Sequence, residues 1–550
     1  MQKHLTTLAL FGALLGLGGF ALLAYLFWGL DYESFAQLLL AWAGKSDWLD
    51  RFEQDYFPKS RWLFLGYSLP FFALGYLAFL AYAYKKRALW LSAAAEQLRL
   101  WVQLIGQEFR QTKPIEWAFL LPILCFWSIS TLYQIQQLPI EYDEAWSFLH
   151  FSSRSPLFSL ISPHNNHILY TFCSSLLHQL GVAGPWDLRL PSFLAIFGLM
   201  FFSYWYYRRL LGWRWGLAIL ALLALAPPIY IYGILGRGYG ILLFFLGAYL
   251  WADSQENRQL WPLLLLLAWG GIYSNPIFVL PYLGLALSRF GQANYWRQQL
   301  LFALGSLLLY SPFILANGAQ ILAGAAADSG QSLGNTYFYL YRLIDWQFLG
   351  RRLPLFWPYL LLVLGLLPLV NKRGYWLAFS LLWPILLPFL DQQWPYRIFC
   401  YLYLFFLPYL GLALAKMPFK KAFILPLGLV LGLQFWASRG HYFLHWSRPL
   451  DAEAQKIAQL LLADPQAEVC YSFARYDKPL LQYYFLRAKR KLACPMPFAG
   501  SQEQANFGPH FPYVLLDTED YKAPPSIADS LARHYQVIYR NERLILYKLN

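Results

Sequence analysis

The chain has 550 residues, of which 58% are hydrophobic and only 13% are charged. A soluble protein carries about twice that charged fraction, and uncharged runs such as 62–84 and 355–370 are too long for a water-soluble core. The net charge of +14 does not indicate a nucleic-acid partner, because the basic residues form short patches between apolar runs. Composition therefore predicts an integral membrane protein whose basic patches mark cytoplasmic turns.

An N-terminal domain, 1–114, is expected to contain two membrane spans and an amphipathic helix. The apolar run 5–30 is longer than that of a signal peptide and no small-residue cleavage site follows it, which predicts a retained span with a cytoplasmic N-terminus. The run 62–84 then returns to the basic patch 85–87. Apolar side chains recur among polar ones over 88–113, which is typical of a helix on the cytoplasmic membrane face.

A transmembrane core is predicted over 115–437, which brings the chain to about thirteen spans of roughly 20 apolar residues each. The span 117–138 leads to an extracytoplasmic loop, 139–188, and the next span returns to the basic residues at 208 and 209. Later spans alternate in the same way. The predicted fold class is therefore a polytopic all-α transmembrane bundle in the inner or plasma membrane.

The C-terminal domain, 438–550, has the sequence pattern of a small soluble α/β fold. A helix is expected over 451–462, and strands are expected over 468–473, 513–516, 535–539 and 544–547. An odd number of spans places this domain outside the cytoplasm. A disulfide between Cys470 and Cys494 is compatible with that side, but cysteine pairing cannot be read from one sequence.

Three carboxylates, Glu141, Asp143 and Glu144, open the predicted extracytoplasmic loop at the membrane boundary. A carboxylate in such a position is suited to general-base catalysis. Adjacent residues point in different directions on a helix, so Asp143 and Glu144 can divide the work between a substrate and a supporting contact or cation. The alternative is a solvated helix N-terminus, where the helix dipole favours acids.

The same loop contains a second polar segment, with His164, Asn166 and His167. Imidazole and amide groups bind sugar hydroxyls, and His164 and His167 with Glu144 are candidate ligands for a divalent metal ion. The spacing is a weak metal pattern, and a turn followed by a helix cap is the alternative. No other cofactor is indicated.

Several arginines are predicted at the outer ends of spans, where positive charge runs against the usual topology. A guanidinium at the membrane surface can bind a lipid phosphate in bidentate fashion, while the alternative is a side chain that extends to lipid headgroups. Arg237 and Arg397 are the best phosphate candidates because each lies in a very short predicted turn. The full set comprises Arg189, Arg237, Arg342, Arg351, Arg352 and Arg397.

The order of these motifs resembles that of the GT-C superfamily of membrane glycosyltransferases. Tyr-Asp-Glu-Ala at 142–145 follows a span, Asn-His-Ile-Leu-Tyr at 166–170 opens a helix, and Arg-Leu-Pro-Ser follows at 189–192. Arg-Gly-Tyr at 237–239 and Arg397 resemble the arginine-tyrosine turn and the late arginine of the branch that contains protein O-mannosyltransferases and lipid A aminoarabinose transferases. The resemblance spans 117–416.

This resemblance implies an inverting transfer of a sugar from a polyprenyl-phosphate donor to an extracytoplasmic glycan, lipid or protein. Asp143 would be the general base, Glu144 would support it or hold a metal, and Asn166, His167, Arg237, Tyr239 and Arg397 would bind substrate. The chain departs from the family in its extra N-terminal spans and in Ile-Leu-Gly at 234–236, where many members carry a polar residue. The loop 316–353, rich in glycine and then in aromatic residues, is a candidate lid over bound substrates, and a plain surface loop is the alternative.

Three other functions fit the same sequence features. A transporter or flippase of lipid-linked sugars would place ionisable residues inside its spans, whereas here they lie mostly at the ends. A lipid-linked glycan polymerase or ligase would use a similar donor and transfer a longer chain. An inactive scaffold would keep the site without turnover.

Overall fold

Helices form most of the protein that the computed structural model describes. The described residues are 21–42, 58–85, 87–160, 167–292, 294–317, 396–416, 449–465, 467–472, 477–493, 511–517, 525–540 and 544–550, with a few isolated positions. The helices preceding the acidic loop are α1 (Tyr32–Trp42), α2 (Lys59–Lys85), α3 (Arg87–Gln111) and α4 (Pro114–Gln137).

The acidic loop itself contains α5 (Tyr142–Ser147), a π-helical turn (Phe148–Ser152) and a 3₁₀ helix (Pro156–Leu160). It is followed by α6 (Ile168–Gln179), α7 (Trp186–Leu211), α8 (Trp213–Leu225), α9 (Pro227–Ile234), α10 (Tyr239–Ser254), α11 (Trp261–Ser274), α12 (Val279–Leu287) and α13 (Tyr295–Asn317). Short 3₁₀ helices precede α11 (Arg258–Leu260) and α12 (Pro276–Phe278), and another, Tyr396–Tyr401, leads into α14 (Leu402–Lys416). Most of these helices overlap the predicted apolar runs, but the run 215–233, expected to form one span, is divided between α8 and α9.

Helix α7 is the centre of the helical bundle. It packs against α4, α6, α8, α9 and α10. Its side chains are apolar or aromatic on nearly every side, and Leu199, Met200 and Tyr204 are fully buried. A helix without a polar face belongs inside a bundle. This position lets the first turn of α7 act as a fixed platform for the acidic loop.

The described residues include two helices, α4 and α7, that are long and apolar enough to cross a membrane singly. Helices α8 and α9 together reach the same length but are bent by 60°. Pro227 and Pro228 open α9 and cannot donate the backbone hydrogen bonds that would continue α8, which accounts for the break. The sequence predicts about thirteen spans, and those beyond these helices stay predictions.

The predicted amphipathic segment forms α3, and acidic side chains join it and α4 to the far end of α7. Arg209 donates to Glu108 of α3 at 2.8 Å, and Arg208 Nε lies 2.9 Å from a carboxylate oxygen of Glu116 in α4. Both carboxylates are almost fully buried. This end of the bundle is therefore closed by ion pairs and lies opposite the acidic loop, at the other end of α7.

The C-terminal residues form a four-stranded sheet with helices on both faces. Strand β1 (Cys470–Ser472) pairs in parallel with β2 (Tyr513–Asp517), and β4 (Leu544–Leu549) pairs antiparallel with β2 and with β3 (Tyr535–Arg540). The four expected strands are thus confirmed. Helices α15 (Pro449–Ala463) and α16 (Asp477–Arg487) cover one face, and α17 (Pro525–His534) covers the other.

This α/β unit docks directly on the acidic loop. Ala454, Leu480 and Tyr483 pack in one apolar cluster with Ile140, Ala145, Phe148 and Leu188. The contact brings α16 against α5 and the π-helical turn. Cys494 lies outside the described residues, so its pairing with Cys470 stays a prediction.

Candidate active site

The acidic pair lies in the first turn of α5. Glu141 is the N-cap residue. Its backbone N–H donates to the side chain of Glu144 at 3.0 Å, and the backbone N–H of Glu144 donates to the side chain of Glu141. This reciprocal capping box satisfies donors that a helix leaves unbonded at its start. The acidic run therefore does begin a helix, but Glu144 is fully buried and not solvated as the alternative interpretation required.

Glu144 is held by three further hydrogen bonds. Arg189 of α7 donates through Nη2 to Oε2 at 2.6 Å and through Nε to Oε1 at 2.9 Å, and the N–H of Gly236 donates to Oε1 at 2.6 Å. Neither side chain of the ion pair is exposed. Because a buried charge is tolerated only when it is paired and hydrogen-bonded, Glu144 fastens α5 to α7 and to the 236–238 turn.

Arg189 uses its remaining donors on the end of α4. Its Nη1 donates to the carbonyls of Ile135 and Leu138 at 2.8 and 2.9 Å, and Nη2 donates to that of Pro139 at 2.7 Å. Ile135 lies in the last turn of α4, where a helix leaves its carbonyls unbonded, and Leu138 and Pro139 directly follow the helix. The sequence analysis placed Arg189 among the candidate phosphate ligands. That interpretation is wrong, because its N–H groups donate to Glu144 and to backbone carbonyls inside the protein.

Asp143, by contrast, is partly open. Its carboxylate Oδ2 lies 2.6 Å from Nη1 of Arg237, with the side chains 26% and 7% exposed. Ser192 of α7 donates to the carbonyl of Arg237 at 2.9 Å, which fixes the turn between α9 and α10. Burial lowers the pKa of Arg237 and the carboxylate of Asp143 raises it, and the net shift is upward, so the guanidinium stays charged.

Two glycines let the 236–238 turn approach the neighbouring helices. A Cβ on Gly236 would lie 2.6 Å from the hydroxyl of Tyr170 and 3.0 Å from the carbonyl of Leu188. A Cβ on Gly238 would lie 2.5 Å from the Cβ of His167. Gly236 belongs to the segment 234–236, which departs from the pattern of the family that the chain resembles, and its backbone N–H donates to Glu144.

Gly236→Ala is expected to destabilise the protein by about 1–3 kcal/mol, because the added methyl group overpacks a buried contact. It should also lower turnover, since Glu144 must move to admit it. Gly106→Ala in α3 is the matched control, because a Cβ there meets nothing within 4 Å. Thermal unfolding of the two variants in the same detergent checks this, and equal midpoints would contradict the close approach.

His167 and Tyr239 lie together beside the turn. Their rings are in edge-to-face contact at 5.1 Å, and Tyr239 also contacts Tyr232 at 4.7 Å. The side-chain amide of Asn275 lies 3.3 Å from Nδ1 of His167. His167 thus joins the N-terminal end of α6 to the turn and to the end of α11, and it lines the same region as Asp143 and Arg237.

Other candidates fall outside the described side chains. His164 and Asn166 lie in the undescribed segment 161–166. A second undescribed segment, 318–379, contains Arg342, Arg351, Arg352 and most of the candidate lid. Arg397 lies in the 3₁₀ helix Tyr396–Tyr401, which contacts α9 and α10 on either side of the turn, but its side chain is not described. Among described residues no group of three metal-ligating side chains occurs.

Sequence reasoning missed four residues that shape this region: Ser192, Asn275, Asp187 and Arg487. Ser192 belongs to a quoted motif, and its position three residues after Arg189 places it on the same face of α7. Asn275 directly precedes Pro276 between two apolar runs, which indicates a break in the chain but not a contact with His167. Asp187 and Arg487 are 300 positions apart, and nothing local indicates that they meet.

The fold and the site together define a class: a helical bundle, with helices long and apolar enough to cross a membrane, that holds a paired acid and arginine beside a docked α/β unit. No protein-family model matches the chain, and no curated protein sequence matches it significantly. Solved structures do match.

The structure of ArnT from Cupriavidus metallidurans bound to undecaprenyl phosphate has a TM-score of 0.53 at 11% identity, covering 78% of this chain and 98% of that chain. The same protein in the apo state has a TM-score of 0.50 at 12% identity, covering 74% of this chain and 93% of that chain. This similarity shows that the chain shares the fold of ArnT over about three quarters of its length.

Proposed function

We propose that the protein is a membrane glycosyltransferase that moves a sugar from a polyprenyl-phosphate donor to an extracytoplasmic acceptor. The observation that carries this proposal is the ion pair of partly exposed Asp143 with buried Arg237, which places a base beside a phosphate-binding group at 2.6 Å. The undecaprenyl phosphate in the similar ArnT structure supports a donor of that class. The acceptor is a glycan, lipid or protein of the envelope.

In this reaction a bond forms between the acceptor oxygen and the anomeric carbon of the sugar. Asp143 takes the proton of the acceptor hydroxyl as the oxygen attacks. The bond between the anomeric carbon and the phosphate oxygen breaks, and its electrons stay with the polyprenyl phosphate. Attack from the face opposite the phosphate inverts the anomeric configuration.

Arg237 is assigned to the departing phosphate. A guanidinium has five N–H donors, so Arg237 can contact Asp143 and a phosphate together. Its burial strengthens its attraction for the charge that develops as the phosphate leaves. Arg397 is proposed as the second phosphate contact, which the position of its 3₁₀ helix against α9 and α10 supports. His167 and Tyr239, with Asn166, are proposed to bind the sugar.

The residues present give limited support for a divalent metal ion. Both oxygens of Glu144 already accept hydrogen bonds, from Arg189, Gly236 and Glu141. This donor set fits a supporting role for Glu144 better than metal ligation, so no step is assigned to a metal. His164 with His167 stays a candidate pair.

The proposed orientation places the N-terminus in the cytoplasm and the acidic loop outside, in the inner or plasma membrane. The α/β unit contacts the acidic loop, so both belong on one side of the membrane. The domain limits 1–114, 115–437 and 438–550 are proposed with this topology.

Comparison of a gene deletion with its complemented strain by mass spectrometry of envelope glycans and lipid-linked sugars tests the proposal. One sugar missing from an acceptor, with its polyprenyl-phosphate donor accumulating, is the expected result. Loss of a polymer would instead indicate a polymerase or ligase. Unchanged glycans together with ion-coupled transport by the reconstituted protein would overturn the assignment in favour of a transporter.

Arg237→Ala is expected to weaken binding of undecaprenyl phosphate about tenfold to a hundredfold, the usual loss for a charge-assisted hydrogen-bond donor. The double variant Arg237→Ala/Asp143→Ala should bind equally weakly, which separates loss of the phosphate contact from the effect of an unpaired carboxylate. Arg214→Ala is the matched control, because Arg214 is exposed and contacts only the ring of Trp213 among the described contacts. The dissociation constant of undecaprenyl phosphate for each variant in nanodiscs is the measurement. An unchanged affinity in Arg237→Ala would exclude Arg237 from the donor site.

A further inference from the structure

One side chain of the C-terminal α/β unit reaches the elements that hold the candidate base. Arg487, the last residue of α16, donates through Nη2 to both carboxylate oxygens of Asp187 at 2.6 Å. Its guanidinium also lies 4.1 Å from the ring centre of Phe148, which directly follows α5. Asp187 is fully buried and Arg487 is 19% exposed. Arg487 therefore bridges the end of α5 and the start of α7.

Neighbouring side chains and the backbone hold the Arg487 guanidinium in this position. His178 of α6 lies 3.0 Å from Asp187 and 3.4 Å from Nη1 of Arg487. The ring of Tyr483 lies 5.2 Å from the guanidinium. Gly184 leaves the space that the guanidinium fills, because a Cβ there would lie 2.6 Å from its Cζ. Charge, stacking and backbone shape thus all favour one position of this side chain.

A short chain of contacts connects Arg487 to Asp143. Asp187 lies in the first turn of α7, two residues before Arg189, and Arg189 binds Glu144. Glu144 is the neighbour of Asp143 in α5. Phe148 gives a second connection, since it continues α5 and packs against Tyr483 at 5.2 Å. The membrane bundle holds one side of α5, and the C-terminal unit holds the other.

We propose that Arg487 is a positioning residue, through which the C-terminal α/β unit sets the place of α5 and hence the direction of Asp143. This inference rests on the proposed function for its effect on turnover, but not for its effect on α5. A buried ion pair is poor at adding stability, and its specific value is to select one arrangement of the groups around it. The C-terminal unit is accordingly part of the active enzyme.

Hydrogen exchange of residues 140–152 in the full-length protein is the direct test. Arg487→Ala should raise exchange in this segment by about tenfold or more, since a local element opens more often when a fastening contact is lost. It should also lower kcat by about 10²-fold with little change in donor KM, as expected for a misplaced group. Arg487→Lys should recover part of both effects, because lysine keeps the charge but not the paired donors.

Arg490→Ala is the matched control, because Arg490 follows the same helix and its hydrogen bonds to described residues stay within its own unit, at the carbonyls of Leu462, Asp464, Pro465 and Ala467. Asp187→Asn weakens the same contact from the helical bundle, and it replaces Arg487→Ala as the test variant if Arg487→Ala does not fold. Unchanged exchange in both Arg487→Ala and Asp187→Asn, or equal increases in Arg490→Ala, would overturn the proposal. A wild type without turnover would instead refute the proposed function, while exchange still decides the role of Arg487.

Discussion

Asp143→Asn is expected to reduce sugar transfer by roughly 10²- to 10⁴-fold, the usual contribution of a general base. Asparagine has almost the same shape and can still accept a hydrogen bond from Arg237, so the fold and the site geometry should survive. What is lost is the ability to take the acceptor proton. Donor binding should stay near the wild-type value, because Arg237 keeps its place, and steady-state assays with binding measurements check both quantities.

The control for this variant is Asp253→Asn. Asp253 of α10 pairs with Arg289, whose Nε donates to it at 2.7 Å, so both substitutions neutralise an aspartate that is paired with an arginine. Asp253 lies at the opposite end of α10 from the 236–238 turn. If the two variants lost activity equally, the loss would reflect stability alone. Normal turnover in Asp143→Asn would exclude Asp143 as the base.

The fold was predictable to the extent that each element is determined locally. Apolar runs became helices, as expected for a backbone that must satisfy its own hydrogen bonds in lipid. The break at Pro227 was not predicted, although the missing proline donors account for it. The strands of the C-terminal unit were predictable from alternation: Tyr513 and Leu515 face one cluster, and Val514 and Leu516 face the other. The docking of that unit on α5 was not predictable, because no local pattern encodes a contact between Ile140 and Tyr484.

The charged residues at the centre of the site were predictable from sequence, but their partners were not. Asp143, Glu144 and Arg237 were selected as charged groups in a chain with few of them, and the structure brings all three to one place. Sequence does not show which of two adjacent carboxylates is buried, because that depends on partners 45 and 92 positions away. Arg189 was misread for the same reason: its position favoured a surface role, while its partner lies on another helix.

The buried pair of Glu144 and Arg189 gives the largest expected effect on stability. Glu144→Ala should cost about 3–5 kcal/mol, because it leaves the guanidinium of Arg189 buried without a counter-charge. The N–H of Gly236 would also lose its acceptor. Reduced yield of folded protein and a lowered thermal midpoint in detergent are the measurements, and activity should fall with the displacement of α5.

A double-mutant cycle separates the pair from its surroundings. Arg189→Met alone removes the charge but also leaves the carbonyls of Ile135, Leu138 and Pro139 without a donor. The double variant Glu144→Ala/Arg189→Met should lose much less free energy of unfolding than the sum of the two single losses, because neither charge then remains buried alone. Strict additivity would show that the two side chains are independent, and the account of Glu144 as the residue that holds α5 would then fail. Recovery of stability without recovery of turnover in the double variant would show that this ion pair positions Asp143 as well as stabilising the fold.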